Sequence, residues 1–194
     1  MTPKKVKKDP SLQSGFPNPY SISNSEDEDI IIKGESSREK SQLNLKSNKV
    51  TSLSSPGKMG DFDETENWKC GIIEYFYKKD AEKFFENNKI NFVKPLSGKY
   101  YLIVKVRCER IEGKEEFLEI SNYNFGIVGD KKLLYHSDFL GMLTPEITSS
   151  LLVGGSNEGW LTFQVSEDDG NFILIFEDTT SWEKIDRIYL SLDY

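Results

Sequence analysis

The chain predicts an all-β fold, an antiparallel β-sandwich preceded by a disordered N-terminal tail, and three observations carry that expectation. Alternating apolar stretches recur at a spacing of roughly 12 residues, turn-forming Gly, Asp and Asn clusters separate them, and no long helical periodicity interrupts them. The aromatic residues divide the chain. Of 12 Phe, 9 Tyr and 3 Trp, only Phe16 and Tyr20 precede Gly60. Residues 1–60 therefore read as a polar tail and linker without the means to build a core, and residues 61–194 as one domain, long enough to bury roughly two-thirds of its unfolded surface.

The element around which the domain is organised lies at 96–108, Leu-Ser-Gly-Lys-Tyr-Tyr-Leu-Ile-Val-Lys-Val-Arg-Cys. After the Ser97-Gly98 turn, Tyr100, Leu102, Val104, Val106 and Cys108 alternate with Tyr101, Ile103, Lys105 and Arg107, which predicts a strand with one dry face. A dry face needs a second sheet to cover it. A charge at the middle of that face, Val104→Asp, is expected to prevent folding.

In chain order, Trp68–Tyr77 predicts the first strand, with a bulge or close backbone approach near Gly71 and Ile72-Ile73. Asp80–Asn87 reads either as one or two helical turns, N-capped by Asp80 with Ala81, Phe84 and Phe85 as its apolar stripe, or as a loop. Strands follow from Glu116 to Ile120, through Tyr123, Phe125 and Ile127, and from Lys132 to His136 after the Gly129-Asp130 turn. The segment 138–152, with Pro145, lacks clean periodicity and closes at Gly154-Gly155-Ser156. Leu161, Phe163 and Val165, then Phe172, Leu174 and Phe176 across the Glu167–Gly170 turn, and finally Ile188, Leu190 and Leu192 predict the last three strands.

Charge and composition exclude several functions. A formal net charge of -7 and the lack of a Lys/Arg cluster in the folded part argue against a nucleic-acid face. No apolar run approaches the 18 residues of a membrane helix, so no membrane-spanning segment is expected. The basic Lys4–Lys8 cluster is not followed by a hydrophobic segment, so no export signal is expected in the sequence as it stands. Two cysteines, Cys70 and Cys108, are too few for a disulfide framework; they form one bridge if their strands are neighbours, and otherwise two buried free thiols, which is the expected state.

No residue pattern points to catalysis, a cofactor or a metal. His136 is the single histidine; with Asp138 it falls short of a metal site or a triad. The acidic runs Asp61–Glu64 and Glu167–Gly170 lack the spacing of a calcium loop. Gly154-Gly155 precedes neither a Lys-Ser/Thr pair nor a helix, so it is no phosphate loop. Candidate partner-binding residues are few. In the tail, four acids, Glu26–Asp29, run into Ile30, Ile31 and Ile32, the pattern of an extended peptide that adds to a sheet edge and of the peptides that bind small ubiquitin-like modifiers. In the domain, Trp160 and Trp182 are candidates for a flat aromatic platform.

Several pieces together resemble the immunoprotective extracellular, immunoglobulin-like family, a bacterial domain of unknown function. These are Gly98-Lys99-Tyr100-Tyr101-Leu102-Ile103-Val104-Lys105-Val106, then Asn124–Val128, Gly154–Val165 and Phe172–Phe176. The resemblance runs from about Trp68 to Leu192. It implies an immunoglobulin-like sandwich, carried by secreted or lipid-anchored proteins, and no catalytic residues. The expected function is a non-catalytic module that binds protein or cell-envelope partners through its loops or an edge strand. The alternative is a carbohydrate-binding sandwich that uses exposed aromatics.

Overall fold

The computed structural model describes residues 51–137, 143–181 and 184–192. Two four-stranded antiparallel sheets face each other. The first has the order β1-β2-β3-β8, from β1 (Phe62–Glu64), β2 (Trp68–Tyr77), β3 (Lys99–Arg110) and β8 (Ser156–Ser166). The second has the order β10-β9-β5-β6, from β5 (Phe125–Val128), β6 (Leu134–His136), β9 (Ile173–Asp178) and β10 (Asp186–Ser191). A ribbon of β4 (Leu118–Ile120) and β7 (Ser149–Leu151) lies outside them. The expected antiparallel β-sandwich is the observed fold.

The core forms where the alternations meet. Ile72, Leu102, Val104, Val106, Leu161, Phe163 and Val165 from the first sheet oppose Phe125, Ile127, Leu174, Phe176, Ile188 and Leu190 from the second. Each such side chain, fully buried, stabilises the domain by about 1.5–3 kcal/mol. Trp68 joins them edge-on to Phe176, with ring centroids 6.2 Å apart. The register of β2 on β3 shifts between Ile72 and Glu74, which makes Ile73 the extra residue of a bulge and turns it outward.

Four sequence expectations are corrected. First, β3 has two dry faces, because Tyr101 and Ile103 are as buried as Leu102 and Val104. The cover is α1 (Lys79–Asn87), which lays Ala81 and Phe85 on them in a second, smaller core. Second, Asp80 does not cap that helix. The N-cap is Lys78, without a side-chain hydrogen bond, and Asp80 pairs instead with Lys83 at 3.3 Å. The helix closes with Lys89 in the left-handed region, its N–H on the Glu86 carbonyl and the Ile90 N–H on the Phe85 carbonyl.

Third, Cys70 and Cys108 are bridged, not free thiols. They are directly opposed on β2 and β3, and both are buried. Antibody domains join their two sheets through a disulfide, whereas this bridge lies within one sheet. Fourth, residues 51–57 are not a loose linker. The Gly57 N–H donates to the Tyr189 carbonyl at 2.8 Å, the Ser191 N–H to the Gly57 carbonyl at 2.7 Å, and the Tyr189 N–H to the Thr51 hydroxyl at 3.0 Å. A polar sequence serves because the outer edge of β10 asks only for main-chain partners. The rest of the expected tail, residues 1–50, lies outside the described residues.

Candidate functional site

Sheet edges and the grooves beside them are where this sandwich has chemistry to spare. The edge of β10 is occupied by residues 51–57. The edge of β8 is covered by 145–147: the Trp160 N–H donates to the Pro145 carbonyl at 3.0 Å, and Asn157 reaches the Glu146 and Ile147 carbonyls at 3.0 and 2.9 Å. The edge of β2 is different. β2 has 10 residues and β1 has 3, paired with Lys69, Cys70 and Gly71. Among the described residues no strand lies along Glu74–Tyr77 on that side.

Two grooves flank this stretch, one on each face. The outer groove, about 580 Å³, runs between Phe76 and the exposed side of α1, with Asp80, Lys83, Asn87 and Asn88 along its far wall. The inner groove, about 360 Å³, opens between the sheets, where Tyr75, Tyr77, Leu102, Phe172 and Leu192 make an apolar lining. Tyr77 is held by two rings at right angles, Tyr100 at 6.3 Å and Phe172 at 5.5 Å. Burial and the nearby Asp169 charge raise its phenol above the usual tyrosine value. Lys78 and Lys79 are exposed where β2 ends, and the Lys78 ammonium sits 4.8 Å from the centre of the Tyr77 ring.

The turn that brings Gly170 and Asn171 to the inner groove is held by the Asp169 carboxylate, which is the structural use of the Glu167–Gly170 run. It accepts hydrogen bonds from the Lys131 and Gly170 N–H groups at 3.1 and 2.9 Å and from the Tyr135 hydroxyl at 2.8 Å. Burial pushes its pKa upward, and these donors outweigh burial to leave it below the usual aspartate value. Asp130 and Asn171 tie the same two turns together at 2.8 Å. In the other acidic run, Glu64 pairs with Lys69 at 2.8 Å and Asp61 accepts from the Lys58 N–H. Among the described residues no three His, Cys, Asp or Glu converge as metal ligands.

Of the sequence candidates, Trp160 lies half-buried on the outer face of the first sheet. Its ring is engaged by Phe84 at 4.7 Å, Phe76 at 6.0 Å and the Lys105 ammonium at 5.6 Å. Ile30, Ile31, Ile32 and Trp182 lie outside the described residues, as does Asp138. His136 is exposed at the end of β6, beside a groove of about 340 Å³ on the outer face of the second sheet. Across that groove Arg187 is neutralised by Glu177 at 2.7 Å. The β2 edge was missed in the sequence because nothing in Trp68–Tyr77 says how far its neighbour extends. The one available signal is the brevity of Phe62–Glu64 between Gly60 and Asn67.

The fold defines a class, an antiparallel β-sandwich with an intrasheet disulfide. Among solved structures the chain is similar to a candidate lipoprotein of Bacillus subtilis, YcdA, at 12% identity and a TM-score of 0.49, over 68% of this chain and 38% of that one. It thus spans well under half of that protein. It is also similar to the Bacillus subtilis YjhA protein (14% identity, TM-score 0.47, 71% of this chain and 99% of that one). A third is MPT63, a secreted protein of Mycobacterium tuberculosis (11% identity, TM-score 0.48, 72% and 96%). No protein-family model matches the chain, and no curated protein does. Among the described residues no helix is long and apolar enough to cross a membrane.

Proposed function

We propose that this chain is a non-catalytic interaction module of the immunoprotective extracellular, immunoglobulin-like type, which engages a protein partner through an edge strand. The observation that carries the reading is the end of β2 at Phe76-Tyr77, beside which no further strand lies among the described residues and which has a groove on each face. Strand edges present main-chain donors and acceptors that recognise another extended chain. The family assignment is supported by the order of the motifs, each of which falls on a strand of the sandwich or the turn that opens it. Display outside the reducing cytosol is supported by the Cys70–Cys108 bridge.

A non-catalytic role is supported by how the buried charged groups are used. Asp169 holds two turns together, Asp178 accepts from Thr65, Asn67 and Thr180, and the Arg110 guanidinium donates to main-chain carbonyls. Of the two indoles on which the carbohydrate alternative rests, Trp160 is engaged by Phe84, Phe76 and Lys105, which favours the protein-binding reading, and Trp182 lies outside the described residues. The test is recovery of associated proteins from the native host with the full chain as bait, followed by binding of each purified candidate. A partner that binds the purified chain supports the reading. Oligosaccharides that quench tryptophan fluorescence while no protein binds would reverse it.

A further inference from the structure

Beyond that reading, we infer that the loop joining α1 to β3, residues 88–98, is a separate contact surface that seats on a bilayer of anionic phospholipid, with Val93 and Leu96 entering the interface. Single exposed apolar residues are ordinary on a protein surface. These two are held out by the fold. Val93 and Leu96 are 63% and 62% exposed, while the adjacent Phe92 turns inward and stacks on Phe85 at 4.7 Å. The main chain beneath them is tied to the first sheet. The Tyr101 hydroxyl donates to the Val93 carbonyl at 2.6 Å, and the Leu96 N–H donates to the Gln164 side-chain carbonyl at 2.9 Å. A turn with the Lys99 N–H on the Leu96 carbonyl, at 3.0 Å, closes the loop. The two aliphatic side chains are thus presented on an ordered backbone, and insertion requires little further ordering.

Charge identifies the occupant. The chain as a whole carries a formal net charge of -7, yet no Asp or Glu occurs between Glu86 and Glu109. Within that stretch Lys105 and Arg107 pair with Glu158, whereas Lys89, Lys94 and Lys99 make no ion pair among the described residues. Lys89 and Lys94 are exposed, and Lys78, whose ammonium lies 5.5 Å from the Tyr100 ring, adds a further cation at the start of β3. Lysines around outward aliphatic residues suit an anionic lipid surface: the ammonium groups meet phosphate while their methylene stems lie along the apolar layer. A protein ligand is matched less well, because none of the grooves described above is lined by residues 89–99. Two acids flank the patch, Glu86 ahead of Lys89 and Glu167, whose N–H donates to the Gly98 carbonyl at 3.0 Å. They confine the contact to the loop.

The test uses the full chain and its sedimentation with vesicles of phosphatidylcholine, alone or mixed equally with phosphatidylglycerol. Binding is expected to the anionic vesicles and not to the neutral ones, and added salt should weaken it. Val93→Ser with Leu96→Ser, and separately Lys89→Glu with Lys94→Glu, are each expected to weaken it by about tenfold or more. All four positions are exposed, so urea unfolding of both variants should match the parent. Glu167→Gln, which removes a flanking acid, should strengthen binding by about twofold or more. With the chain labelled with nitrogen-15, a spin-labelled phospholipid should broaden the amides of 92–97 ahead of the rest of the domain. Absence of sedimentation with anionic vesicles overturns the inference. So does binding that survives both loop variants, which would assign the contact to the Lys4–Lys8 cluster. An acidic protein from the host that binds the parent and not the loop variants, while vesicles do not bind, overturns the lipid assignment.

Discussion

Cys70 and Cys108 face each other across β2 and β3 with their Cα atoms 4.2 Å apart, and the bond between them closes a loop of sequence separation 38 that contains the whole of α1. Both sulfurs belong to the main core, so the bridge is packed as well as covalent. Cross-linking a loop of this length removes chain entropy from the unfolded state, and Cys70→Ala with Cys108→Ala is expected to cost about 3–4 kcal/mol. Urea unfolding with and without reductant measures it. Native protein should also resist thiol alkylation until reduced, and an immediate reaction with two equivalents of alkylating agent would refute the bridge.

Gly159 is the contact point between β8 and the segment that covers its edge. A Cβ there would run into the backbone of Glu146 and Ile147, which cannot rotate away as a side chain would. Gly159→Ala is therefore expected to cost about 1–3 kcal/mol. It should also loosen residues 145–147, read as faster amide exchange of Trp160, whose N–H donates to Pro145. Unchanged exchange at Trp160 would show that the cover tolerates the methyl group.

The fold was legible because alternation is a local signal: Leu102, Val104 and Val106, or Leu174 and Phe176, declare their faces without knowledge of any partner. What escaped was set by elements brought together from far apart. Tyr101 and Ile103 read as a wetter face until α1 covers them, and the polar Thr51–Gly57 stretch docks through main-chain groups that composition does not report. The bridge depended on register, since Cys70 and Cys108 meet only because β2 and β3 pair in the way they do. The candidate site was illegible for the same reason. An edge is defined by what lies beside it, and Phe76 and Tyr77 look like the residues of any other strand.

Arg110 is fully buried, and its guanidinium donates to the carbonyls of Glu112, Glu115, Glu116 and Leu151. It thereby holds the 111–117 connection and β7 against the end of β3. The planar fork reaches several carbonyls at once, a geometry that an ammonium does not reproduce. Arg110→Lys is expected to cost about 2–4 kcal/mol, because buried carbonyls lose their donors. Thermal unfolding measures the loss, and hydrogen exchange should locate it at Leu118–Ile120 and Ser149–Leu151. A variant as stable as the parent would mean that water replaces the guanidinium.

Asp169 gives the domain an acid-sensitive joint. Burial works against its charge, but the Lys131 and Gly170 N–H groups and the Tyr135 hydroxyl favour the ionised form more strongly, so the folded pKa lies below the unfolded value of about 3.9. A depressed folded pKa contributes stability that is fully present above the unfolded value and is lost as pH falls through the folded one. Asp169→Asn presents an amide to a site built from donors, and is expected to lower stability at pH 7 by about 1–2 kcal/mol. Its stability should also depend less on pH than the parent's below about pH 4. Urea unfolding at a series of pH values from neutral to strongly acid compares the two slopes, and parallel slopes would place the acid sensitivity on other carboxylates.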